Sequence, residues 1–319
     1  MDERYPYTLT HSDDRSPTKD SGLVLIYRGK IRKIRIFVDM RRWMTALVLF
    51  FSLMACQGQT PAEKYLTTPE DEALAVQVMM DLKGYADEPV GDRMVRAAEA
   101  LLGQPYVAGT LEEPEQETLC IYLTRTDCIL FVETCLGLVR AAGQDGSFET
   151  LARELRESRY RDGVCGRYED RLHYTTEWAR QGVKRSVLQE MTGALGGVDF
   201  GHPVHYMSQH PDSYKRMTDV DAIAAIERQI NAVPSSFIPK SALKKTLPGI
   251  RNGDIILFTT KVDGLDISHC AIAKVVPGKP VRFIHASTVP MKVVEDPKTL
   301  EEYVMGRKAV TGIQVYRVR

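Results

Sequence analysis

What is scarce in these 319 residues narrows the reading first. Charge of neither sign prevails, with 42 Lys and Arg against 42 Asp and Glu, so the basic bias of a nucleic-acid binder is missing and no nucleic-acid partner is expected. There is no glycine-rich phosphate loop and no dinucleotide fingerprint, which argues against a nucleotide-dependent enzyme. The six cysteines lack the paired CxxC spacings of a structural zinc site, and no metal or other cofactor is called for. No internal repeat or low-complexity region is evident. The apolar run from Trp43 to Met54 is too short to span a bilayer as an ordinary helix. What remains is a chain with 44% hydrophobic residues, enough for a sizeable core in one enlarged catalytic domain or two small ones.

That short run has a second meaning. Met40-Arg41-Arg42 precedes it and Leu53-Met54-Ala55-Cys56 closes it, the layout of an export signal whose end resembles a lipobox with Cys56 as the lipidated residue. Residues 1–39 form a long polar lead, best explained by a true start at Met40 and an over-extended N-terminus. The alternative is a cytosolic tail with a basic strand, Arg28 to Val38, before a membrane anchor. On the first reading residues 40–56 are the signal, 57–65 a tether and 66–319 the catalytic domain. The expectation is an exported, periplasm-facing lipoprotein of a Gram-negative bacterium, held at the membrane through Cys56.

In the remaining chain, Thr68-Pro69-Glu70-Asp71-Glu72 caps a helix running toward Leu82, and Val90 to Leu102 suits another. From Ile129 to Ala142 an apolar stripe predicts a third helix, with Asp127 as its N-cap and Cys128 in its first turn. There the free amides and the helix dipole favour a thiolate. Downstream, Asn252-Gly253-Asp254 leads into an apolar strand, a second strand runs from Ser268 to Val276, and Pro277-Gly278 turns into a third, Val281 to His285. Alone, a cysteine in an apolar helix is usually a packed core residue. Together with His269 and His285 on neighbouring strands, Cys128 becomes a candidate nucleophile, His269 its proton acceptor and His285 the group that orients His269.

Leu101-Leu102-Gly103-Gln104-Pro105-Tyr106, Asp127-Cys128, Gly253-Asp254, Ser268-His269 and Phe283-Ile284-His285-Ala286-Ser287 resemble, in order, the landmarks of the NlpC/P60 cysteine peptidases. Phe131-Val132-Glu133 after the cysteine and the long spacing to His269 look like the DUF1460 branch, described as N-acetylmuramoyl-L-alanine amidase-like. Cys270 departs from the valine commoner at that place. The resemblance implies an α+β, papain-like core with the cysteine helix packed on an antiparallel sheet bearing the histidines. It also implies hydrolysis of a cell-wall amide through an acyl thioester, with peptidoglycan fragments as substrates. In the amidase-like branch the bond joins the muramic acid lactyl group to L-alanine; the alternatives are a D-Glu/diamino-acid endopeptidase and a non-catalytic wall-binding lipoprotein. Tyr106 matches a tyrosine beside the nucleophile that shapes the oxyanion or substrate site, or it is a core aromatic.

The insertion, about 143–249, is expected to build walls for the substrate. Its stretch Tyr168 to Trp178 offers Asp170, Arg171, His173, Tyr174 and Trp178 as sugar and carboxylate contacts, with Arg171 the first choice for a carboxylate. Tyr174 and Trp178 at helical spacing read equally as one side of a core helix. Pro234 to Lys240 has an extended path that could line the cleft. His202, His205 and His210 raise the question of a metal but read better as a solvated or substrate-facing loop. Cys135, two turns beyond Cys128, reads as packing.

Overall fold

The structure, a computed structural model, describes residues 24–27, 30–33 and 65–319. The chain forms two units, Met1–Ala62 and Glu63–Arg319. Within the first, β1 (Val24–Tyr27) pairs antiparallel with β2 (Lys30–Lys33). The export signal of residues 40–56, Cys56 and residues 57–64 of the tether lie outside the described residues.

The second unit opens with β3 (Tyr65–Leu66) and two helices, α1 (Pro69–Lys83) and α2 (Val90–Ala100). The Thr68 side chain caps α1 by accepting from the Asp71 N–H at 3.1 Å, as the sequence signature requires. Next, β4 (Leu119–Cys120) pairs in parallel with β3. The cysteine helix, α3 (Cys128–Ala142), is apolar on all sides and almost wholly buried, as such a helix must be. Across Gly137 it meets α4 (Phe148–Arg159), whose Leu151 and Leu155 fill the space a side chain would take. Then come α5 (Thr175–Lys184), β5 (Leu188–Glu190), β6 (Val198–Asp199), α6 (Tyr206–Gln209), α7 (Val220–Asn231), β7 (Ser236–Pro239) and α8 (Lys240–Thr246).

The expected meander follows as β8 (Ile255–Thr260), β9 (Ile267–Lys274) and β10 (Arg282–Ser287). Finally come β11 (Lys292–Glu295), α9 (Leu300–Gly306) and β12 (Val310–Val318). The sheet order is β11-β10-β9-β8-β12-β7-β6, with β5 also on β12. Side chains alternate across this sheet. Leu257, Cys270, Ile272, Ile284 and Ala286 join the core formed with α1, α2, α3 and α4. On the other face, Ile256, Phe258, Ala271, Phe283 and Val315 pack with Leu243 of α8 and Leu300, Tyr303 and Val304 of α9. The result is an α+β fold of helices, sheet, and two short covering helices.

The insertion does more than the sequence suggested. Two of its strands, β5 and β7, pair with β12, and α4 and α5 supply Leu151, Leu155 and Trp178 to the main core. Only part of it, around Tyr168, Tyr174, Val204, Met207, Ile223 and Ile230, forms a separate cluster. The Pro234 to Lys240 stretch divides: Ser236–Pro239 is β7, with Ile238 fully buried beside β12 and three places from β9, while Pro234 and Ser235 line a cavity with Phe200, His202 and Asp266.

Two glycines fix how α2 meets the turn before β8. Gly253 has φ +78°, and a Cβ there would overlap the backbone of Gly91; a Cβ on Gly91 would overlap the carbonyl oxygen of Asn252. Asp254 behind that turn is buried and paired with Arg317 at 2.7 Å. Alanine at Gly91 should therefore destabilise despite its higher helix propensity. For Gly253→Ala, about 2 kcal/mol of strain lowers the thermal unfolding midpoint by about 4–8 °C, readable by circular dichroism.

Candidate active site

The candidate site begins with the helix cap. Asp127 has an extended backbone, and its Oδ1 accepts from the N–H groups of Ile129 at 3.1 Å and Leu130 at 2.9 Å. This leaves the N–H of Cys128 itself with no partner among the described residues. Burial, and then the adjacent Cys128 sulfur, push the Asp127 carboxyl up to about 7. Cap and thiolate thus compete for the negative charge that a helix N-terminus favours.

Cys128 is half-buried, and its thiol is held well below the usual range. The hydrogen bond from the Cys270 thiol contributes most; burial opposes it, and the His269 side chain and charge and the Cys270 backbone N–H lower it further. The neighbouring Cys270 thiol is pushed up in turn, chiefly by burial. Successive residues of a strand face opposite sides, yet one sulfur meets both His269 and Cys270. It does so by approaching β9 from its edge, where backbone N–H groups point. That edge is open because the β9–β10 pairing runs only from Arg282↔Lys274 to Ile284↔Ile272. Helix α3 packs on both strands there.

The two histidines meet across the same opening. His269 Nε2 and His285 Nδ1 are 2.6 Å apart, which leaves Nδ1 as the nitrogen of His269 available to the sulfur. His269 stacks on Phe258 at 5.6 Å between ring centroids, while His285 packs edge-on against Phe283 at 5.0 Å and Tyr303 at 5.7 Å. Burial, then the charge of His269 and of Arg307, lower His285 to about 3, so it is neutral throughout the working range. Beyond it lies a residue the sequence reading missed: Asp296 Oδ2 is 3.2 Å from His285 Nε2.

Tyr106 joins the group through its backbone. Its N–H donates to the Met291 carbonyl at 2.9 Å, and Tyr106 bridges Thr126, two residues before Cys128. Burial, then the Cys128 sulfur, raise its hydroxyl to about 12, so it stays protonated and can donate.

A family model described as N-acetylmuramoyl-L-alanine amidase-like (AmiA-like) matches residues 96–313, which include all of these side chains. The chain belongs to this family. It is similar to a Bacteroides uniformis protein whose crystal structure is named an N-acetylmuramoyl-L-alanine amidase, with 34% identity and a TM-score of 0.69 over 72% of this chain and 99% of that one. A Bacteroides fragilis protein, described provisionally as a xylanase, has 35% identity and a TM-score of 0.64 over 70% of this chain and 99% of its own. A Legionella pneumophila protein assigned to DUF1460 shares the fold at 20% identity and a TM-score of 0.61, over 78% and 95% of the two chains. No curated protein matches.

In this amidase-like chain the candidate residues of the insertion lie elsewhere. Arg171 is buried among acceptors: Glu117 at 3.1 and 2.7 Å, Glu112 at 2.6 Å and the Leu111 carbonyl at 3.2 Å. It is a buried internal clamp with four of its five N–H donors engaged, in place of the expected carboxylate site. Asp170 accepts from the Arg167 N–H at 2.8 Å, closing a local turn. The His173 Nε2–H donates to the Tyr168 carbonyl at 2.8 Å, and burial, then Arg171, lower this ring to about 3. Tyr174 donates to Glu227 at 2.7 Å and accepts from the Met207 N–H at 3.0 Å, while Trp178 Nε1 donates to Ser158 Oγ at 3.1 Å. Both rings are core, the alternative their helical spacing had kept open.

The histidine loop is also engaged locally. His202 bonds the Val262 carbonyl at 3.0 Å, His205 lies 3.5 Å from Asp263, and His210 bonds the Tyr206 carbonyl at 2.8 Å. Among the described residues no group of three or more His, Cys, Asp or Glu is placed to hold a metal ion. The described cysteines are all free, and burial pushes the Cys135 thiol far up, which suits packing alone.

Two outcomes are expected. Cys270→Val removes the chief donor to the Cys128 sulfur, so the midpoint of its pH profile for alkylation by iodoacetamide rises and labelling at pH 7 slows. Arg171→Ala takes the two-pronged partner from buried Glu117, leaving it the Tyr160 hydroxyl at 2.8 Å and Arg216 at 3.4 Å, and costs about 3 kcal/mol in chemical denaturation, while KM stays unchanged where the variant is folded.

Proposed function

We propose that this chain is an N-acetylmuramoyl-L-alanine amidase for peptidoglycan fragments that works through a Cys-His-His thiol mechanism. The observation that carries it is the contact of Cys128, at a capped helix N-terminus, with His269, itself paired to His285 at 2.6 Å. His269 Nδ1 takes the thiol proton, and the sulfur attacks the carbonyl carbon of the lactyl amide. The oxyanion receives the free N–H of Cys128, with the Tyr106 hydroxyl as a second donor. The amine of L-alanine leaves with the proton from His269. Water, giving its proton to His269, then cleaves the acyl thioester.

The amidase name of the Bacteroides uniformis relative supports the choice of bond. A glycosidase reading fits less well, since that chemistry needs two carboxyl groups flanking the bond. Here Asp127 caps a helix, and Asp296 is buried behind His285. The resemblance to the NlpC/P60 peptidases supports the papain-like placement of these groups. The signal-like segment supports export with lipidation at Cys56, on the periplasmic side.

Defined muropeptides incubated with the protein and analysed by mass spectrometry should give free disaccharide and intact stem peptide. Cys128→Ala should abolish this by about 10⁴-fold or more. Shortened stems would instead identify an endopeptidase of the same mechanism. Absence of product, or product indifferent to Cys128→Ala, would overturn the thiol mechanism.

A further inference from the structure

Asp296 follows the last residue of β11, and nothing in its immediate sequence marks it. Three contacts hold it still: its N–H donates to the Phe283 carbonyl at 3.1 Å, its carbonyl accepts from Arg282 Nη2 at 2.6 Å, and its Oδ1 accepts from the Lys298 N–H at 2.8 Å. Only Oδ2 is left, and it stands 3.2 Å from His285 Nε2. The approach lies off the line of a fully formed hydrogen bond, and that ring nitrogen, buried, has no other partner among the described residues. A slight turn of ring or carboxylate aligns them. The groups facing His285 are His269 from β9, Asp296, Tyr303 of α9 and the Arg307 charge just beyond it.

We propose that Asp296 is a positioning residue that sets the tautomers of both histidines and so points a lone pair of His269 at Cys128. This rests on the thiol mechanism above and deepens it. The argument is one of proton order. Beside a carboxylate, His285 Nε2 must carry the hydrogen, because its lone pair would face negative charge. His285 Nδ1 is then an acceptor and takes the Nε2–H of His269 across 2.6 Å. His269 Nδ1 is left with its lone pair free, the form that can accept the thiol proton. With the opposite order, His269 would present an N–H to the sulfur and could take no proton from it. Asp296 has 8% of its surface exposed, so it acts through His285 and not on the substrate.

The test uses the full-length protein with ¹⁵N-labelled histidine. In the unmodified protein, NMR should show the hydrogen on Nε2 of both His269 and His285; a hydrogen on His285 Nδ1 overturns the proposal without any variant. In Asp296→Ala the His285 tautomer should shift toward mixed, and kcat on muropeptides should fall roughly 10- to 100-fold, with KM within about twofold. Asp296→Asn keeps an acceptor oxygen and should restore both the tautomer and most of kcat. An Asp296→Ala variant with native circular dichroism and unchanged tautomers would defeat the proposal. Should the unmodified protein cut no muropeptide, the amidase reading fails while the NMR readout still decides the role of Asp296.

Discussion

The early end of the β9–β10 ladder, at Ile272 and Ile284, is the constraint on which the candidate site depends. Were the two strands paired to their ends, the Cys270 N–H would be shut inside the sheet and the sulfur of Cys128 could not reach it. Because the strands part, His269 and His285 sit diagonally across the opening, a spacing that imidazole rings can bridge. The apolar helix α3 then brings its capped N-terminus to the same place. A local defect in sheet pairing has become the meeting point of thiol, imidazole and backbone.

Around this opening, buried carboxylates tie distant segments together. Asp71 of α1 accepts from the N–H groups of Leu123 and Thr124, both at 2.7 Å, and so holds the approach to Asp127. Glu133 on α3 pairs with Arg159 at 2.7 Å, both buried, locking the cysteine helix to the end of α4. Asp254 and Arg317 do the same between the turn before β8 and β12. Such pairs add little net stability over an apolar filling, but removing one partner is costly. Their effect is to allow one arrangement of these backbones and penalise others.

The legible parts of this fold were those whose signals are local. Asp127 before an apolar run, Thr68-Pro69 before another, and Gly253-Asp254 before a strand each name an element end by its own chemistry. The insertion was harder, because Arg171, Tyr174 and Trp178 have the composition of a binding wall and of a buried polar core alike. What separates the two is the partner, and Glu117 and Glu227 lie more than fifty positions away from Arg171 and Tyr174. Asp296 was invisible for the same reason: its meaning comes from His285 on the neighbouring strand. The family match extends the local reading across residues 96–313.

The position of β12 has a consequence for how this molecule comes into being. It follows every other described element in the sequence, yet it lies in the middle of the sheet, bonded to β8, β7 and β5. Until it is available, β8 lacks one neighbour and the strands of the insertion have nothing to dock on. Long-range pairings of this kind form late and slowly. The core therefore cannot close until β12 has been made, and for that interval the helices and hairpins before it must wait, exposed, for this strand.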